Sequence, residues 1–179
     1  PLSWGADSWD TLFQEIKVTN MGFGWDRTEN VIWRLQNGEL DNISPKVALV
    51  LIGTNNLSIN NSPKQVAVGI EEILKEIHLV SPTTQIMLLG ILPRQDMTLA
   101  PAQVNQLLKK MAQLDHFNYV HYVDTENALL RENGQSDASK FKDNAHINNK
   151  GYAALVTLLK PILLKYLQKL NVEEATNAE

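Results

Sequence analysis

The sequence predicts a single α/β domain of three layers, with a parallel sheet between two layers of helices. Short apolar runs rich in β-branched residues alternate along the chain with amphipathic segments of helical spacing. This alternation is typical of βαβ units, whose crossovers place helices on both faces of a parallel sheet. With 179 residues, the chain has the length of one domain. We assign 1–171 to that domain and expect 172–179 to be a disordered polar tail.

Four runs are predicted to be strands. The runs 47–52 and 85–92 are continuously apolar, which is typical of strands buried on both faces of a sheet. The run 119–123 predicts a third strand, and 17–21 predicts a weaker fourth. The carboxyl ends of these strands form the edge at which sheets of this class bind ligands.

Helices are predicted between and after the strands. Ser62 is a typical N-cap, and Pro63 after it suits the first helical position. Pro101 opens a second amphipathic helix, and a short helix is predicted over 28–35. The last helix contains Pro161, which is expected to kink or split it.

Composition excludes several classes of function. The net charge of −4 provides no basic field for nucleic acid, and no apolar run has the length of a membrane span. The absence of cysteine excludes disulfides and thiolate sites. The histidines lack metal-ligand spacing, so we expect no metal and no cofactor. The compartment stays open, with a soluble, cytoplasmic location favoured.

Two motifs carry chemistry. Asp143-Asn144-Ala145-His146 places a carboxylate three residues before a histidine, and such a carboxylate can hold the imidazole tautomer of a general base. Gly53-Thr54-Asn55-Asn56 follows a predicted buried strand and offers an amide for an oxyanion. Together the two motifs suggest hydrolysis of acyl esters.

The chain resembles a known family from about residue 9 to 170. The matching segments are 20–28, Trp33-Arg34-Leu35 with Asn37-Gly38-Glu39, 53–56, Leu92-Pro93-Arg94, and Asp143-x-x-His146 with Gly151-Tyr152. They look like the conserved blocks of the SGNH (GDSL-type) hydrolases, most like the catalytic subunits of intracellular platelet-activating-factor acetylhydrolase and bacterial relatives. The resemblance implies a flavodoxin-like parallel sheet and allows for a homodimer.

The resemblance also implies roles. His146 is the general base and then the general acid, Asp143 orients it, and Asn55 donates its side-chain amide to the oxyanion. The backbone N–H donor of the second block falls on Trp25, where the family usually has Gly. The Trp25 indole could instead form a wall of the site or be a packed aromatic residue. Two neighbouring residues could also line the substrate: Gly24 and Asn56.

The main departure of this chain from the family pattern concerns the nucleophile. In this family it is the Ser of Gly-Asp-Ser directly after a central first strand, and the alignment places that Ser ahead of Pro1. Ser8 ends a similar Gly-Ala-Asp-Ser, but no apolar strand precedes it. We therefore expect Ser8 not to be the nucleophile and leave the nucleophile unassigned. We therefore expect this chain to be a fragment of a longer protein that contains this strand. The alternative is that another segment or chain takes the place of the strand in the sheet.

Two functions follow. The first is a serine esterase that cleaves small acyl esters, with acetyl esters favoured, through an acyl-enzyme. The alternative is a non-catalytic SGNH-like binding or scaffold subunit that has lost its nucleophile. The alcohol part of the ester stays open.

Overall fold

A three-stranded parallel sheet lies at the centre of the molecule. The computed structural model describes residues 6–97 and 99–177. The strands are β1 (Val47–Val50), β2 (Gln85–Leu89) and β3 (Val120–Val123), in the spatial order β1-β2-β3. The helices are α1 (Ala6–Phe13), α2 (Thr28–Gln36), α3 (Thr54–Ser58), α4 (Pro63–Val80), α5 (Ala100–Met111) and α6 (Asn149–Asn177). The parallel α/β fold predicted from the sequence is confirmed.

Two hydrophobic cores lie on the two faces of the sheet. Because side chains alternate along a strand, Ile86 and Leu88 of β2 enter one core, while Met87 and Leu89 enter the other. Helices α2, α4 and α5 cover the first core. Helices α1 and α6 pack on each other and cover the second. The three predicted layers follow from this alternation.

Two strand predictions need correction. The run 17–21 contains no strand, since its backbone has no sheet partner among the described residues. The run 47–52 forms β1, but its four strand residues are only partly buried. The reason is position, because β1 is an edge strand of the described sheet whereas β2 lies between two neighbours.

The helix predictions hold for α4, where Ser62 caps the first turn and exchanges hydrogen bonds with Gln65. Helix α6 differs from expectation because it neither splits at Pro161 nor ends near residue 171. Buried leucines keep helical spacing on both sides of Pro161 and pack the helix on the sheet: Leu155, Leu159 and Leu163. The helix continues to Asn177, residues 178–179 lie outside the described residues, and the disorder of 172–179 stays a prediction.

Candidate active site

Asp143 and His146 form a hydrogen-bonded pair in the loop before α6. The His146 Nδ1 atom lies 2.9 Å from Asp143 Oδ2 and 3.0 Å from Oδ1. The loop is closed by a bridge between Phe141 and Ile147 and by a bond from Lys142 N–H to the His146 carbonyl. The side chains of His146 and Asp143 are 66% and 52% exposed, respectively. His146 Nε2 has no hydrogen-bond partner among the described residues, so this atom is open to a reacting group.

The Asp143 carboxylate is held in its charged form by backbone donors. The N–H groups of Ala145 and His146 donate to Oδ1 at 2.9 and 2.8 Å, and they lower the Asp143 pKa to about 2. An ionised carboxylate can only accept hydrogen bonds, so in the neutral imidazole of His146 the proton is on Nδ1 and Nε2 presents a lone pair. This is the tautomer that a general base requires.

An NMR titration of the Asp143 carboxyl carbon should give a midpoint near the lowered pKa of about 2. The unfolded chain protonates this group near pH ~4. The contribution of this carboxylate to stability is therefore complete above about pH 4 and is lost as the pH falls through about 2. A loss of activity on acidification that occurs above pH ~4 therefore cannot be caused by protonation of Asp143. A midpoint near 4 in the folded protein would contradict the two backbone bonds.

Asn55 lies in the first turn of α3, directly after β1. The turn requires Gly53, because its φ is +114° and a Cβ there would lie 2.7 Å from Val66 and 2.8 Å from Ile91. The Asn55 Nδ2 atom donates to the Asp26 carbonyl oxygen at 2.8 Å. An amide nitrogen carries two protons, so one remains for a ligand. Asn55 is thus anchored to the turn 22–25 through the next residue.

Trp25 has left-handed backbone geometry and an exposed side chain. Its φ is +66°, a conformation that costs a bulky residue about 1–3 kcal/mol. The indole is 87% exposed, so the interpretation as a packed aromatic residue is wrong. The Trp25 N–H has no hydrogen-bond acceptor among the described residues. A backbone donor and an exposed aromatic ring therefore occur at one position.

A partly buried ion-pair network supports this turn. Arg34 on α2 donates to both carboxylate oxygens of Asp26, at 2.6 and 3.0 Å, and its Nε donates to Glu39. The guanidinium also lies 4.6 Å from the centroid of the Phe23 ring. Asp26 therefore pairs with Arg34 rather than with Arg27, its neighbour in sequence. The network holds the residue whose carbonyl receives the Asn55 amide.

Asn56 is buried and hydrogen-bonded within the protein. It is only 4% exposed, and its Oδ1 accepts the Thr28 N–H at 3.0 Å. Its Nδ2 is directed at the side chains of Thr28, Glu29 and Asn61. Its amide thus joins α3 to the start of α2, and its part in a substrate wall stays a prediction. Gly24 is exposed, and a Cβ at this position would meet nothing within 4 Å, so the idea that it lines the substrate stays a prediction.

The loop after β2 joins the two halves of the site. Arg94 donates to Ser58 on α3, while the Gln95 N–H donates to the Asn144 carbonyl at 2.8 Å. This loop thereby connects the helix that carries Asn55 with the loop that carries Asp143 and His146. Sequence reasoning alone favours a solvated Arg94, because loop arginines are usually exposed. The sequence feature that indicates a role for Arg94 is its position, because Pro93-Arg94 follows a predicted buried strand. The carboxyl ends of such strands form the ligand-binding edge of the sheet.

Ser8, which we expect not to be the nucleophile, makes no hydrogen bond to His146. It lies in α1, which packs on α6. Trp33 is exposed on α2. A shallow cavity of about 580 Å³ is lined by Lys142 and Ile147, but not by His146.

Metal and membrane-spanning sites are absent from the part of the chain that the structure describes. No group of three or more His, Asp or Glu side chains is arranged there to hold a metal ion. No helix within 6–97 or 99–177 combines the length and apolarity needed to cross a membrane.

Comparisons with known proteins agree with this architecture. Residues 2–154 match the model of the GDSL-like lipase/acylhydrolase family. The chain is 36% identical over 172 residues to platelet-activating factor acetylhydrolase IB subunit alpha2 of Homo sapiens, and the match covers 94% of this chain and 73% of the relative. It is 32% identical over 166 residues to the alpha1 subunit of Rattus norvegicus, covering 90% and 70%.

Solved structures show the same fold at lower identity. A GDSL-like lipase from Bacteroides thetaiotaomicron superimposes with a TM-score of 0.71 at 16% identity, over 89% of this chain and 81% of that one. A carbohydrate esterase family 3 from Talaromyces cellulolyticus gives a TM-score of 0.71 at 16% identity, over 83% and 71%. With a family model matched over most of its length, the chain belongs to the GDSL-like lipase/acylhydrolase family.

Proposed function

We propose that this protein is a serine esterase that hydrolyses small acyl esters through an acyl-enzyme, with His146 as its general base. The observation that carries the proposal is the Asp143–His146 pair, in which an ionised carboxylate fixes the imidazole tautomer and Nε2 stays open. The family to which the chain belongs supports ester hydrolysis in general. The name of the alpha2 relative, an acetylhydrolase, favours acetyl as the acyl group.

In this mechanism His146 Nε2 takes the proton of a serine hydroxyl as the serine oxygen attacks the ester carbonyl. Asp143 stabilises the imidazolium that forms. His146 then returns the proton to the leaving alcohol, and an acyl-enzyme remains. Water, deprotonated by the same Nε2, attacks the acyl-enzyme and releases the acid and the free serine.

The oxyanion of each tetrahedral intermediate needs preorganised donors. The free proton of the Asn55 amide and the Trp25 N–H are suited to this role, because Asn55 is already bonded to the residue that follows Trp25. The left-handed geometry of Trp25 is typical of backbone strain held at functional sites.

The proposal places the nucleophilic serine outside the described residues. No described serine donates to His146, although the imidazole is open. The apolar strand β1 also has no described strand on its outer side, and its residues stay only partly buried. A strand added there would cover these side chains and would end at the same edge as Asn55.

The test is to trap the acyl-enzyme of the full encoded protein with p-nitrophenyl acetate. Acid quenching during turnover, followed by peptide mass spectrometry, should find one acetyl group on a serine outside 6–97 and 99–177. Longer acyl chains should give a lower kcat/KM if the acyl pocket is small. Absence of both turnover and acylated serine would favour the non-catalytic alternative.

A further inference from the structure

Arg94 is buried although it belongs to a loop. It is 8% exposed, and every nitrogen of its guanidinium has a partner. Nε and Nη2 donate to the two carboxylate oxygens of Asp96, at 2.8 and 2.7 Å. Nη1 donates to Ser58 Oγ at 2.7 Å, with longer contacts of 3.4 and 3.5 Å to the hydroxyl and carbonyl oxygens of Thr54. These contacts direct the guanidinium at the protein rather than at a substrate.

These partners flank the oxyanion candidate. Thr54 and Ser58 are the first and last residues of α3, and Asn55 lies between them. Helix α3 is too short to hold its own position, since isolated helices of this length are unstable. Its place therefore depends on contacts with neighbouring elements, of which the Arg94 fork is one.

The residue after Arg94 holds the other half of the site. The Gln95 N–H donates to the Asn144 carbonyl, inside the Asp143-x-x-His146 loop. Two consecutive residues of the loop after β2 thus contact α3 on one side and the His146 loop on the other. The spacing between the oxyanion donor and the general base is set across this connection.

We propose that Arg94 is a positioning residue that fixes α3, and with it Asn55, relative to the Asp143–His146 loop. It acts through Ser58 and Thr54 and not by touching the substrate. The kinetic part of this inference rests on the proposed esterase function, whereas the structural part does not.

The geometry calls for arginine rather than lysine. A planar guanidinium can bind the Asp96 carboxylate with two nitrogens while the third reaches α3, and an ammonium cannot reproduce that fork. The neighbouring Asp96, with a smaller effect from Asp143, raises the Arg94 pKa, and Arg94 in turn lowers the Asp96 pKa, so both partners are charged near neutral pH. The positioning role should therefore be constant around neutral pH and weaken only in acid, where Asp96 becomes protonated.

The kinetic experiment compares Arg94→Lys, Arg94→Met and Ser58→Ala in the full encoded protein. We expect kcat to fall roughly 10- to 100-fold in both Arg94 variants with KM nearly unchanged, because misplacement weakens transition-state contacts most. Arg94→Lys should recover thermal stability but not kcat. Ser58→Ala, at an exposed position, removes the link without leaving a buried charge unpaired, and should lower kcat with little change in melting temperature. Its effect should largely vanish in the Arg94→Met background.

The second experiment needs no activity. In NMR spectra, Ser58→Ala and Arg94→Lys should shift the side-chain amide signals of Asn55, and Arg94→Lys should also shift the backbone amides of the His146 loop. Arg131→Met, at an exposed arginine that pairs with Asp137, is the matched control and should leave both sets unchanged.

The outcomes separate the two proposals. A lower melting temperature without any change in kcat or in the NMR signals of Asn55 would overturn the positioning role, because Arg94 would then be merely structural. Shifted Asn55 and His146-loop signals in a protein with no esterase activity would support the positioning role and overturn the proposed function.

Discussion

Replacing His146 by alanine should reduce kcat/KM for p-nitrophenyl acetate by roughly 10⁴- to 10⁶-fold, the range that the loss of a triad histidine produces in serine hydrolases. The physical reason is that Nε2 is the atom available to take the serine proton, so without it the hydroxyl stays a weak nucleophile. The measurement is steady-state kinetics on the full encoded protein. Stability should change little, since the imidazole is largely exposed.

The matched control is His116→Ala. His116 is also exposed, and it lies in the short 3₁₀ helix Asp115–Phe117 with its ring near Phe117. Its replacement should leave kcat/KM unchanged. Equal losses in both variants would contradict a specific role for His146.

Asp143→Asn separates the imidazole tautomer from the conformation of the loop. The Asn oxygen can still accept the Ala145 and His146 N–H groups, so the loop should keep its conformation. Its amide group would face Nδ1 as a donor, which moves the imidazole proton to Nε2 and blocks the base. A loss of about 10⁴-fold in kcat is expected. Full activity in this variant would overturn the assigned tautomer.

Replacing Asn55 by alanine should lower kcat by roughly 10²- to 10³-fold, the usual loss for one oxyanion donor, while KM changes little. Asn55→Asp should be worse than alanine, because a carboxylate cannot donate and would place negative charge beside the oxyanion. Both variants also lose the bond to the Asp26 carbonyl. The deciding measurement, made with a soluble acetyl ester, is whether kcat falls in these variants while KM stays nearly constant.

Two controls accompany Asn55. Asn127→Ala removes an exposed asparagine from the 3₁₀ helix Glu126–Ala128 and should have no effect on kcat or KM.

Trp25→Gly keeps the backbone N–H at a position where φ is +66°, so kcat should be retained. A higher KM in that variant would assign the indole to the substrate wall. An unchanged kcat in Asn55→Ala would remove this side chain from the oxyanion site.

The predicted elements that are confirmed are those whose signal is local. The apolar runs 85–92 and 119–123 contain β2 and β3, because both faces of these strands are covered by helices. The start of α4 follows from the capping residue Ser62 and the proline after it. The Asp143–His146 contact is also predictable, since the two residues are three apart and the loop alone brings them together.

The predictions that failed needed information about neighbours. Residues 17–21 have the composition of a strand but no described partner, and the run 47–52 forms the predicted strand β1 but is less buried than expected because it lies at an edge. Proline chemistry predicts a kink or a split at Pro161, and buried leucines on both sides accompany a helix that does not split.

By itself, the sequence determined the parallel α/β architecture, the family and the two motifs that carry the proposed chemistry. These depend on periodicity and short spacings, which act within a few residues along the chain. Only the tertiary structure decided that Asn56 is buried, that Trp25 is exposed and strained, and that Arg94 joins α3 to the loop after β2. The physical reason is that burial and hydrogen-bond partners arise between segments dozens of residues apart, and no local pattern specifies which of them meet.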